Sequence, residues 1–336
     1  GDEGYVLRYQ FETGQVLKTI ETTSGTMPMN VQMRDPAGMA AGGADAPDGY
    51  QGSTTIDVTT TRILTIEDVA DDGTASGALK IEYMFASTST RIANQTIDYL
   101  IEYEDGRVTT SGTMQRQTPP EKIVELQNML NRTYRIRIDP LGGIEPQDED
   151  YDEMWRQVMG RSAVGVDLRK LTRATAGLPE EAVQIGDTWE QQYTADDEND
   201  STTGSSIMEL RDVKSIDGRD IAVITGTSTL TVQNADGEPS AAPMMGQLAG
   251  GMEAALKTIE THTAFEIHMD LDHGQVMRQS ADITLDMEQT MTMDLQAMFG
   301  GNQPMELTMD MSVEDAQMHS ETSTEFVEVQ ANDEEG

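Results

Sequence analysis

The residues of this chain best equipped for chemistry are its four histidines, His262, His268, His273 and His319. His268 stands between Glu266 and Asp270 at spacings of two. On a strand, alternate residues share a face, so this trio would present an imidazole between two carboxylates. Such a set can hold a metal or build an acid–base pair, and a carboxylate beside an imidazole favours the imidazolium. The simpler reading is a solvated polar face. No HExxH or GxSxG motif and no phosphate-cradling glycine loop accompanies the histidines. The chain has no cysteine, which excludes disulfides and thiolate chemistry. A metal-dependent hydrolase on the His268 strand is therefore the weakest functional reading, and the chain is expected to be non-enzymatic.

Hard oxygen ligands are more plentiful. Asp196, Asp197, Glu198 and Asp200 form one acidic run, and Asp148, Asp150 and Asp152 belong to another. Both lie in loop-like stretches, and calcium is the one cofactor that they suggest. The ordinary role of such runs is a hydrated loop. The net charge of -38 repels phosphate backbones, so nucleic acid is not an expected partner. The same charge keeps an extended β surface soluble and blunts its edges. Arginine outnumbers lysine, and threonine and aspartate are plentiful, a bias that accompanies saline habitats. Asn94-Gln95-Thr96 and Asn131-Arg132-Thr133 fit the glycosylation acceptor pattern.

The third feature is methionine. The 336 residues include 23 methionines but only 5% aromatics, so methionine forms a large part of what can be buried. Met287, Met291 and Met293 share a parity with Ala281, Ile283 and Leu285, while Asp282, Thr284, Asp286 and Glu288 occupy the other. Met305, Met309 and Met311, with Leu307 and Val313, are expected to face the same way on a partner strand. Methionine adapts to irregular apolar partners and lines promiscuous binding surfaces. The six methionines are thus either packed core or an apolar groove for a lipid or an apolar peptide.

Period-2 alternation dominates the elements that must position these groups. It runs through Tyr5, Leu7, Tyr9 and Phe11, through Met27, Met29, Val31 and Met33, and through Ile97, Tyr99, Ile101 and Tyr103. Asp72-Gly73, Asp105-Gly106 and Asp217-Gly218 supply hairpin turns. The period changes once, where Pro119-Pro120 opens a helix with Ile123, Leu126 and Leu130 on one face. The fold class expected is mainly β: two similar curved antiparallel sheets, half-barrel-like, with a few short helices. Residues 1–147 form an N-terminal β half with a mobile loop at 35–53, and residues 148–177 a helical bridge. Residues 178–336 form a C-terminal β half with a mobile loop at 234–254 and an acidic tail at 331–336. The halves repeat one order of strands and turns. No apolar run reaches the length of a membrane helix.

The chain resembles an uncharacterised family of bacterial secreted or lipid-anchored β-proteins. The likeness is carried by the opening Tyr5 to Gly14 stretch and by the central Leu178-Pro179 with Gly186-Asp187-Thr188-Trp189. It continues in the late Phe265 to Asp272-His273-Gly274-Gln275-Val276. The resemblance implies a duplicated, curved antiparallel sheet outside the cytoplasm, similar in spirit to periplasmic lipoprotein carriers, with any targeting segment missing from this chain. It brings no catalytic residues. The leading functional expectation is an extracytoplasmic binding protein, a carrier or scaffold for apolar material. The alternative is a structural subunit of a surface layer or filament that self-assembles.

Overall fold

A computed structural model describes residues 4–34, 50–92, 95–113, 120–148, 177–196, 200–234, 252–294 and 306–327. The first half holds β1 (Val16–Arg34), β2 (Tyr50–Val69), β3 (Ala75–Ile92), β4 (Gln95–Glu104) and β5 (Arg107–Gly112). Helix α1 (Pro120–Leu130), β6 (Thr133–Ile138) and β7 (Ile144–Pro146) follow. The second half holds β8 (Thr188–Asp196), β9 (Asp200–Ile216), β10 (Arg219–Asn234), β11 (Met252–Asp270), β12 (Gln275–Asp294) and β13 (Glu306–Phe326).

The mainly antiparallel β architecture holds. The two sheets expected are one, however, in the order β5-β4-β3-β2-β1-β13-β12-β11-β10-β9-β8, with β6 attached to β3 and β7 to β6. The seam between the halves is β1 on β13, running from Leu17 opposite Phe326 to Arg34 opposite Thr308. β5 and β8 end the order and do not pair with each other, so the sheet is open among the described residues.

Local chemistry sets the turns. Asp105-Gly106 and Asp217-Gly218 carry positive φ at both residues (50° and 76°, 53° and 80°), the geometry that twisted two-residue hairpins demand. At the β2–β3 turn, Gly73 has φ 84° and the Thr74 amide donates to Asp72 Oδ1 at 2.9 Å. Helix α1 buries Leu126 and Leu130 against Tyr103, Val108 and Tyr134 in a small core under β3 to β6. The larger core spans β1, β2 and β9 to β13 and includes Met27, Met29, Met208, Ile224, Ile259, Leu285 and Met287.

Several expectations shift. Residues 5–11 alternate like a strand, yet only Tyr5 makes a bridge, to Val183. The segment is a tie instead of a ladder strand. Residues 50–53 belong to β2, and Asp200 to Gly204 to β9, where loops were expected. The partner strand expected to carry Leu307 to Val313 runs on as one 21-residue strand, β13, to Phe326. Its apolar parity switches midway because Asp315, at φ 54°, inserts a bulge opposite Asp286. Val313 is buried before the bulge, and Ala316 and Met318 after it. All of the expected bridge at 148–177 except its two end residues, most of both mobile loops and the tail at 331–336 lie outside the described residues.

The opening segment shows that one end of the sheet curls. The Tyr9 amide donates to Pro140 O at 2.8 Å, and the next amide, Gln10, to Gly274 O at 3.0 Å. One residue therefore separates the points where the chain after β6 and the β11–β12 turn are held, within about 10 Å of each other. Counted along a flat sheet, from β6 through β3, β2, β1 and β13 to β12, they would stand about 24 Å apart. The segment gathers the strand ends like a drawstring, with Leu7 fully buried beneath it.

Candidate ligand-binding face

The gathered end brings together the three stretches singled out in the sequence. Tyr5 and Val183 exchange backbone hydrogen bonds at 2.7 and 2.9 Å. The Arg8 guanidinium donates to the carbonyls of Pro179 and Glu180. Gln275 Nε2 donates to Gln10 O at 2.6 Å. Burial pushes the Tyr9 phenol up to about 12. Gly186, at φ 95°, and Asp187 form a turn that docks on Leu210 through Gly186 N to Leu210 O at 2.8 Å and Leu210 N to Asp187 O at 3.1 Å. Thr188 then opens β8. Trp189 is only partly buried, and its Nε1 donates to Gly177 O at 3.0 Å. Trp189 lies away from the junction between the halves, which β1 and β13 make.

The methionine face divides. Met287 is 3% exposed and lies opposite Val313 and Ile259 in the large core. Met311 is partly buried beside it, and its sulfur accepts from Gln289 Nε2 at 3.6 Å. At these two positions the methionines are packing. The register continues toward the end remote from the ties. There Met33 lies opposite Met309, Met309 opposite Met291, and Met293 opposite Met252. Met291, Met293 and Met309 are thus placed by backbone register alone, and Met305 lies outside the described residues.

Four buried oxygens interrupt the apolar face. Ser206, Ser228, Thr261 and Thr263 are buried, and their hydroxyls have no hydrogen-bond partner. Sequence alone does not single them out, because Ser and Thr fit a solvent-facing parity as readily as a buried one. The signal was present, since Thr261 and Thr263 share the parity of Ile259, Phe265 and Ile267.

The histidines do not converge on one site. His268 Nε2 is 2.8 Å from Glu266 Oε1 on a part-exposed face, while Asp270 turns away. Asp270 is fully buried and organises the β11–β12 turn. Its Oδ1 accepts the amides of Asp272 (2.9 Å) and His273 (3.1 Å), and its Oδ2 meets His273 Nδ1 (2.9 Å) and Arg219 (3.3 Å). Burial works to raise the Asp270 carboxyl, but the amides and the His273 ring outweigh it and hold it below its ordinary value. His319 pairs with Asp282 at 2.8 Å and lies 3.6 Å from Glu321, which also meets Arg278 at 2.9 Å. The Asp282 hydrogen bond, with Glu321 assisting, raises the His319 pKa. These three imidazoles each meet a different carboxylate, an arrangement suited to turn and strand stitching.

The calcium ligands fare differently. Asp197, Glu198, Asp150 and Asp152 lie outside the described residues, and Asp196 and Asp200 are placed only as strand ends. Asp148 accepts the Arg135 amide at 2.6 Å, a local cap. Among the described residues no group of three or more acidic or histidine side chains is arranged to hold a metal.

No protein-family model matches this sequence, and no curated protein does. Among solved structures, the outer membrane protein OprG from Pseudomonas aeruginosa aligns at 7% identity and TM-score 0.27, covering 95% of this chain and 99% of that one. An outer membrane channel from Pseudomonas putida F1 aligns at 7% identity and TM-score 0.21, covering 97% and 98%. At those scores neither alignment establishes a shared fold. The chain's own faces are distinctive: Ile283, Leu285 and Met287 of β12 are buried, while Asp282 and Glu288 on the other parity are exposed. No helix among the described residues is long and apolar enough to cross a membrane.

Proposed function

We propose that the protein is a non-enzymatic, extracytoplasmic carrier that holds an apolar ligand against the inner face of its curled sheet, entering at the methionine-rich end. The observation that carries this reading is the difference between the two ends. One is tied shut by residues 4–15 and the turns at Pro140, Val183 and Gly274. At the other, the same face continues into methionine set opposite methionine on β1, β13 and β12. A face meant only as core needs no such residue at its margin, whereas unbranched, polarisable side chains accommodate ligands of irregular shape. The location outside the cytoplasm rests on the resemblance carried by Gly186-Asp187-Thr188-Trp189 and its companions.

The test combines a pyrene-labelled alkane with mild peroxide on the full folded chain. Saturable binding is expected, with Met33, Met291 and Met309 oxidised in the free protein and protected by the probe. Met27, Met208, Met269 and Met287, at 0–3% exposure, should stay reduced throughout. No probe binding, with uniform protection of all these methionines, overturns the carrier. If the same chain grows into defined oligomers on concentration, the surface-layer or filament subunit takes its place.

A further inference from the structure

The unpartnered hydroxyls are ordered across the sheet. Ser206 on β9 lies opposite Ser228 on β10, and Ser228 lies opposite Thr263 on β11. Thr261 adds a fourth oxygen two residues along. The register of the sheet does not prevent neighbouring hydroxyls from bonding. Ser205 and Thr229, one residue away on the same two strands, are 3.2 Å apart on the exposed face. Thr54 with Thr90 (2.9 Å) and Thr23 with Ser320 (3.1 Å) do the same elsewhere.

Opposed Cβ atoms on antiparallel strands are about 4.5–5.5 Å apart. Two hydroxyls that do not meet directly leave a span that one further oxygen, about 2.8 Å from each, would bridge. Buried hydroxyls left unpartnered are destabilising, and native interiors contain few. The walls beside the row are apolar. Phe265 lies over Gly226, where an added Cβ would stand 2.5 Å from its ring, and Leu230 fills the space over Gly204 at 3.0 Å. The row itself carries no charge, so a carboxylate or an ammonium group would find no counterion in it.

We infer that Ser206, Ser228 and Thr263 form a seat for an uncharged, oxygen-bearing group, the ester or hydroxyl of an amphiphile. This rests on the carrier reading and gives it a polarity: head at the hydroxyl row, apolar chain along Thr261 and Ile259 toward the methionine end. The hydroxyls, which have no partner within the protein, donate to the ligand oxygen.

The experiment compares a pyrene-labelled monoacylglycerol with the pyrene-labelled alkane on wild type, Thr263→Val and Ser228→Ala. Each substitution removes a hydroxyl with no partner in the free protein, so folding is retained, and circular dichroism with urea midpoints checks this. The expected result is an affinity loss of about tenfold per hydroxyl for the monoacylglycerol, with the alkane unchanged. Ser206→Ala provides an independent third variant should either of the others unfold. Unchanged monoacylglycerol affinity in the folded variants overturns the seat and leaves the row to water alone, while the carrier stands. The seat likewise falls, with the carrier intact, if the alkane binds and the monoacylglycerol does not. Binding of neither probe overturns both.

Discussion

Asp270 offers the sharpest test of how the tied end is built. Its two oxygens are divided by task, with Oδ1 accepting two backbone amides and Oδ2 facing His273 and Arg219. Asp270→Ala removes all four interactions, but it leaves no buried charge behind. His273 and Arg219 are about half exposed and can return to water. The loss is then two amide bonds and two screened, charge-assisted contacts, about 2–4 kcal/mol in all. Asp270→Asn keeps an oxygen for the amides and gives up the charged contacts, about 1–2 kcal/mol. The carboxyl is held below its ordinary value, so its contribution is complete above about pH 4 and is lost as pH falls through the lowered folded value. Urea midpoints of the three proteins at pH 7, repeated toward pH 3, measure this. The wild-type advantage over Asp270→Asn should shrink in acid. If Asn costs as much as Ala, or if the gap is flat with pH, the division between the two oxygens is wrong.

Three further outcomes follow from the geometry. In Gly25→Ala, the new Cβ would stand 2.5 Å from Gln317 O and 2.9 Å from Met318 Cα, so the β1–β13 seam must part, at a cost of about 1–3 kcal/mol in urea unfolding. His319 should titrate above its ordinary value by proton NMR and fall back in Asp282→Asn. The small stability that it adds, under about 1 kcal/mol at so exposed a site, is complete below about pH 6.5 and lost as pH rises through the raised value. Trp189→Phe should cost about 0.5–1.5 kcal/mol for the lost bond to Gly177 O, and a change inside 0.2 kcal/mol would dismiss that bond.

What could be read from sequence was what short-range chemistry dictates. Asp105-Gly106 and Asp217-Gly218 declared their hairpins because positive φ is a property of the turn residues themselves. Pro120 and the spacing of Ile123, Leu126 and Leu130 gave the helix in the same way. The seam was hidden, since Leu17 and Phe326 meet across some 300 residues and nothing local to either marks the other. The bulge at Asp315 was hidden too, because a single inserted residue leaves both flanking alternations intact and only swaps their faces. Residues 5–11 misled for a related reason: burying Leu7 demands extended backbone, but it does not demand a ladder partner. The hydroxyl row was overlooked because Ser206 and Thr263 look the same in sequence whether they face water or core.

The place of β13 has a consequence in time. Among the described residues it comes last in chain order, yet it fills the middle of the sheet, between β1 and β12. Until it arrives, β1 offers a 19-residue open edge and β12 a 20-residue one. A nascent chain therefore carries the β1 edge open from the making of β2 until β13 emerges, and the β12 edge for the shorter time after residue 294, a stage when long-range β pairing is prone to aggregate. Closing the seam must wait for β13. A stop codon before residue 306 would leave two half-sheets with naked inner edges, each a ready template for another copy of the chain.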